Sequence, residues 1–206
     1  MSKKIILIII LGILVIGGVI FLIYKNNESK TVEQAPTTKE NKTNENNNNF
    51  KDAAVIYFSV TGNTKEVAGY IKDATNADIF EIIPQEKYTD EDIDYSNDNS
   101  RANREQNSDD DARPEISNDI DTTSYDTIFL GYPIWWGTVP KIIYTFLDNN
   151  DLSGKTVIPF CTSGGSGIKR SMNDLKEYNS NINWIDGKKL NTNKDEVEDW
   201  INNLEY

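Results

Sequence analysis

The chain has 206 residues, 33 acidic against 21 basic, for a net charge of −12. It has no histidine, which excludes Ser-His-Asp and Cys-His catalysis and every histidine-bearing metal site; its single cysteine excludes an internal disulfide. The length suits one domain with extra segments. The first of these is Ile5 to Tyr24, twenty uncharged residues behind Met1-Ser2-Lys3-Lys4. At about 1.5 Å per residue the run matches the ~30 Å hydrocarbon core of a bilayer. It is too long for a signal-peptide core and no small-x-small cleavage site follows, so residues 1–24 are expected to be an uncleaved membrane anchor. Lysines flank it on both sides; the short basic N-terminal tail is the part expected in the cytoplasm, which puts the rest of the chain outside.

Residues 25–50 are Asn, Lys, Glu and Thr with almost nothing apolar, and read as a disordered polar linker. The folded domain is expected over 51–206. The first fifty residues hold 6 basic and 4 acidic side chains, leaving 15 and 29, so the domain carries −14. Such a surface repels nucleic acid and steers basic partner proteins toward it.

Within the domain, Ala53 to Phe58 is an apolar run, and Thr64 to Asn76 follows with Val67, Ile71 and Ala74 on one face. Ala77 to Ile83 reads as a strand ended by Pro84. The polar stretch from Gln85 to Tyr125 holds the crossover, with a helix predicted over Glu91 to Gln106; its Asp109-Asp110-Asp111 run reads as a solvated face, not a metal site. Strands are predicted over Thr127–Gly131, Thr156–Phe160 and Ile182–Ile185. Helices are predicted over Lys141–Asn149, Ile168–Tyr178 and Lys194–Leu204, with Asp195 and Glu196 in the first turn of the last. Five strand–helix alternations predict an α/β fold with a parallel sheet covered on both faces. The doubly wound order 2-1-3-4-5 puts the ligand site beyond the carboxyl ends of the first and third strands.

Three unusual loops fall at that edge. Ser59-Val60-Thr61-Gly62-Asn63-Thr64 joins a strand to a helix, where unpaired amides and the positive end of the helix dipole favour an anion. Ser59, Thr61, Asn63 and Thr64 add side-chain donors, and Gly62 lets the backbone close on the ligand. No lysine is present, so a single phosphate suits it better than a triphosphate with its magnesium. An ordinary turn with a threonine N-cap is the alternative reading. The second loop is Gly131 to Pro140, where Trp135 and Trp136 lie between glycines and prolines. A flat aromatic ligand would stack on one of them, with loop amides bonding its polar rim. The third is Thr162-Ser163-Gly164-Gly165-Ser166-Gly167, whose glycines permit close backbone approach. Cys161 just before it reads as a small buried side chain rather than a reactive thiol.

A monophosphate pocket beside an aromatic slot suits flavin mononucleotide (FMN). Ser-Val-Thr-Gly-Asn-Thr, Tyr-Pro-Ile-Trp-Trp-Gly-Thr-Val-Pro and Ile-Pro-Phe-Cys-Thr-Ser-Gly-Gly-Ser-Gly together resemble the flavodoxin family, in its bacterial flavodoxin-like branch, over about residues 52–204. Arg-Ala-Asn-Arg-Glu-Gln (101–106) and Arg-Pro-Glu-Ile (113–116) are also similar to that branch. The resemblance implies Ser59, Thr61, Gly62, Asn63 and Thr64 at the FMN phosphate. It implies Pro133, Ile134, Trp135, Trp136 and Gly137, with Thr162 to Gly167, around the isoalloxazine. The anchor and the long acidic crossover depart from small soluble members. The expected function is a membrane-tethered FMN protein passing electrons between redox partners, with no catalytic side chain of its own and surrounding negative charge holding the potential low. The alternative is an FMN-dependent NAD(P)H oxidoreductase acting on quinones or similar acceptors. A signalling receiver on the same fold would need an acidic pair and an aspartate where Ser59 and Gly131 stand. A flavin-free interaction module would leave the three loops without a purpose.

Overall fold

Strand β1 (Ala53–Tyr57) is buried along its whole length and lies inside the sheet, with a neighbour on each side. The computed structural model describes residues 50–107 and 111–206, so the expected anchor, nearly all of the linker and Asp109-Asp110 lie outside the described residues. Among the described residues no helix is long and apolar enough to cross a membrane. The remaining elements follow in chain order as α1 (Asn63–Thr75), β2 (Asp78–Glu81), α2 (Arg101–Asn107), β3 (Thr127–Pro133), α3 (Lys141–Asn149) and β4 (Thr156–Thr162). The last four are α4 (Lys169–Tyr178), β5 (Asn183–Trp184), β6 (Lys188–Lys189) and α5 (Lys194–Asn202).

All strand pairs are parallel, in the order β2-β1-β3-β4-β5, with β6 also on β4. Side chains alternate between the two faces, as the period of a strand requires. Ala54, Ile56 and Phe58 join Ile128, Leu130, Tyr132 and Val157 against Ile142, Ile143, Phe146 and Leu175 from α3 and α4. On the other face Val55, Tyr57, Phe129, Ile158 and Phe160 meet Val67, Ala68 and Ile71 of α1 and Val197, Trp200 and Ile201 of α5. Both faces are therefore covered, which is why these strands read as continuous apolar runs rather than alternating ones. Gly131 is required by close packing: a Cβ there would lie 2.2 Å from the Phe160 ring across the β3–β4 pair.

Several expected elements have other bounds. The helix predicted over Glu91–Gln106 forms only at Arg101–Asn107. Upstream, Asp92 holds the amide and hydroxyl of Thr89, Asp94 those of Ser96, and Asn97 the amide of Asn99. Short polar side chains bonded to nearby backbone compete with the helical ladder, and here they win. The third and fourth strands run two residues past their expected ends, because Tyr132 pairs with Cys161 and Pro133 with Thr162. The fifth strand is broken into β5 and β6. Val157 and Cys161 carbonyls accept from Ile185 and Leu190 amides, so the intervening Pro159 turns its donor-less nitrogen toward the same neighbour. The break falls opposite that missing donor. Gly187 fills it, where a Cβ would meet the Pro159 carbonyl oxygen at 2.3 Å.

Candidate functional site

The carboxyl ends of β1, β3 and β4 open into one cleft of about 340 Å³, within the usual ~300–1,000 Å³ of small-molecule sites. Thr61 and Asn63 line it from the turn after β1, and Pro133, Ile134 and Trp135 from the end of β3. Thr162, Ser163 and Gly164 line it from the end of β4. The three loops singled out in the sequence thus meet in one place. Two further segments complete the walls: Ile93 and Tyr95 from the crossover, and Leu190, Asn191 and Thr192 after β6. None of these lining residues is charged.

At the α1 end, Gly62 takes a left-handed conformation (φ 91°) as N-cap and supplies no side-chain cap. The first intrahelical bond runs from the Glu66 amide to the Gly62 carbonyl, so the amides of Asn63, Thr64 and Lys65 precede the ladder. Asn63 and Thr61 are exposed, with Asn63 Nδ2 donating to Thr61 Oγ1 at 3.3 Å. Thr64 has a different place. Its side chain is buried and its hydroxyl bonds that of Thr162 at 2.8 Å, tying the start of α1 to the end of β4. It neither caps α1 nor lines the cleft. Ser59 and Gly62 also lie outside the lining.

The two tryptophans separate. Trp135 is buried, edge-on to Phe58 at 5.4 Å and to Tyr88 at 5.0 Å, so most of its ring belongs to the core. Trp136 and Gly137 form the corner of a tight turn closed by Trp135 N–H to Thr138 O and Thr138 N–H to Trp135 O, both 3.0 Å. Both corner residues have positive φ, 47° and 84°, the signature of a type I′ turn. Trp136 lies outside the cleft and stacks on Tyr95 at 4.3 Å. The amides expected to face a ligand are partly used, since Ile134 N–H donates to Thr162 O at 2.9 Å and Trp135 N–H to the turn itself. Gly165, Ser166 and Gly167 are exposed and lie beyond the cleft, with the Gly165 amide held by Ser163 Oγ at 3.2 Å.

The crossover braces the aromatic turn from behind. Gln106 Nε2 donates to the carbonyls of Trp135 (3.2 Å) and Val139 (3.1 Å). Tyr88 donates to Glu105 at 2.7 Å, Arg101 pairs with the same carboxylate at 2.7 Å, and the Arg101 guanidinium lies 4.0 Å over the Tyr88 ring. Burial, followed by the Glu105 charge, holds the Tyr88 phenol far above the ordinary tyrosine value. Burial pushes the Cys161 thiol up to about 12 against the pull of Lys189, which leaves it protonated and unreactive at neutral pH. No cluster of metal-ligating side chains occurs among the described residues.

A flavodoxin family model matches residues 52–204. The chain belongs to the flavodoxin family. Among solved structures, this chain is similar to a candidate flavoprotein from Bacteroides uniformis ATCC 8492, at 40% identity over 73% of this chain and 97% of that one, with a TM-score of 0.70. A second candidate flavoprotein, from Bacteroides eggerthii DSM 20697, gives 39% identity, 73% and 95% coverage and a TM-score of 0.69. A flavoprotein from Lactobacillus acidophilus NCFM, crystallised in complex with FMN, gives 27% identity, 73% and 98% coverage and 0.57. No curated protein matches the chain.

The walls that sequence reasoning missed had two kinds of signal. In a sheet of this order the fifth strand ends at the same rim as the first and third, so its loop at Leu190–Thr192 was open to inference from topology alone. Ile93 and Tyr95 are the only apolar or aromatic side chains between Glu91 and Ser100. Their isolation in a polar stretch marked them, but nothing local says that the segment folds back over the cleft.

Proposed function

We propose that this flavodoxin-family protein binds FMN in the cleft at the carboxyl ends of β1, β3 and β4 and carries electrons between redox partners. The observation that carries the reading is the convergence of a helix start offering free amides, Thr61 and Asn63 with a half-apolar slot made by Pro133, Ile134 and Trp135. The first suits a phosphate and the second a planar ring. The donor set fits the group: neutral hydrogen-bond donors for a monophosphate, in a cleft of about 340 Å³.

When bound, FMN supplies reversible one- or two-electron transfer. The protein's part is to hold and insulate it. Asn63, Thr61 and the amides of residues 63–65 would hold the phosphate, and Thr162, Ser163 and Gly164 would flank the ring beside Ile134. With no cationic side chain among the described lining residues and −14 over residues 51–206, no fixed positive charge beside the ring offsets added negative charge, which favours a low potential. The same acidity favours a basic redox partner. We further propose attachment to the cell membrane through residues 5–24 with the domain on the extracytoplasmic side, a reading supported by the length and flanks of that run.

The test is direct. The full chain should purify yellow, or turn yellow on adding FMN, and the released flavin should be FMN rather than FAD. Ser59→Ala with Thr61→Ala should weaken FMN at least severalfold; unchanged affinity removes the phosphate assignment. Holoprotein given NADPH and a quinone without a partner protein should turn over only slowly. Fast turnover would replace the carrier by the oxidoreductase.

A further inference from the structure

Among the described residues, Tyr95 is the one large exposed aromatic side chain lining the cleft. It lines the cleft, is 56% exposed, and arrives from the crossover rather than from any of the three motif loops. Its hydroxyl donates to the Ile134 carbonyl at 3.1 Å, fixing the ring over the end of β3. One face is already taken by Trp136, stacked at 4.3 Å with 24° between the planes. Trp136 does not line the cleft while Tyr95 does, so Tyr95 stands between Trp136 and the ligand space.

Trp136 holds that position at a cost. Its φ of 47° is a left-handed conformation that bulky side chains rarely adopt, and asparagine or glycine is the usual residue at this corner of a type I′ turn. The turn is nevertheless pinned, by Gln106 on the Trp135 and Val139 carbonyls and by a hydrogen bond from Thr138 to Asp174. Strain retained under such pinning points to a use for the side chain.

Resting on the FMN reading above, we infer that Tyr95 covers one face of the bound isoalloxazine ring and that Trp136 is a positioning residue that braces it from behind. The arrangement is then a stack of three planes, with Tyr95 in the middle and its hydroxyl anchored on Ile134. Trp135 contributes its edge and its backbone, and the planar contact comes from the crossover.

Titration of the full chain with FMN and with riboflavin, which lacks the phosphate, tests this. Tyr95→Ala should weaken both ligands by the same factor, roughly tenfold, and should raise the fluorescence of bound flavin, since an electron-rich ring against the flavin quenches it. Tyr95→Phe should keep most of the quenching. Trp136→Asn places a preferred residue at the turn, so the ligand-free protein should melt no lower than wild type while both flavins bind less tightly. If wild type binds FMN but Tyr95→Ala leaves riboflavin affinity and bound-flavin fluorescence unchanged, the stacking role is overturned and the FMN site stands. If Trp136→Asn loses no affinity, the bracing role is overturned. Wild-type protein that binds neither flavin overturns the FMN reading and this inference together.

Discussion

Two turns at the rim of the sheet each contain a left-handed residue, and they are held by different means. At Ser59–Asn63 the residue is Gly62, exposed, with nothing within 4 Å of where a Cβ would lie. Its conformation is free of strain and its neighbours are held mainly by each other. At Trp135–Thr138 Gly137 is left-handed too, but so is the bulky Trp136, and the turn is tied to α2, to α4 and to Tyr95. The first turn is a local structure presenting backbone donors. The second is a tertiary structure, rigid because distant segments clamp it. A phosphate can be met by amides that any helix start provides, whereas a planar ring needs walls placed to fractions of an ångström.

The difference predicts how each turn fails. Trp135→Ala removes a buried aromatic from between Phe58 and Tyr88 and should cost about 3–5 kcal/mol of unfolding free energy in denaturant; a loss below ~1 kcal/mol would mean that the aromatic turn is not part of the core. Gln106→Leu removes both side-chain bonds to the turn; the Trp135 carbonyl keeps the Thr138 amide while the Val139 carbonyl loses its partner, for about 1–3 kcal/mol. That variant should also loosen riboflavin, and a stability loss without any effect on flavin would confine Gln106 to a structural role. At the other turn, Ser59→Ala with Thr61→Ala should change stability by no more than about 0.5 kcal/mol, while reducing affinity for FMN and sparing riboflavin. Equal loss of both ligands would place these hydroxyls at the ring and erase the contrast.

Much of this division was visible in the chain itself. The first turn could be read residue by residue, because strand, glycine and helix start are adjacent in sequence. The apolar runs at Ala53–Phe58, Thr127–Leu130 and Val157–Phe160 announced strands buried on both faces. The crossover is where the sequence is least legible: the need to bridge two parallel strands suggests a helix over Glu91–Gln106, while Asp92, Asp94 and Asn97 bind nearby backbone and hold it off until Arg101. Thr64 was read as a phosphate donor from its place in the motif. Its hydroxyl instead meets Thr162, 98 residues away, a partner that helix capping rules cannot supply.

By itself the sequence determined the alternating α/β order, the rim where the loops gather, and the type of each loop, since these depend on period, on glycine and proline, and on neighbours a few residues apart. Only the tertiary structure decided which tryptophan is buried, that Tyr95 reaches the cleft, and that the loop after β6 closes it. Those outcomes depend on close packing between segments far apart in the chain, where fractions of an ångström choose which of two adjacent rings faces inward.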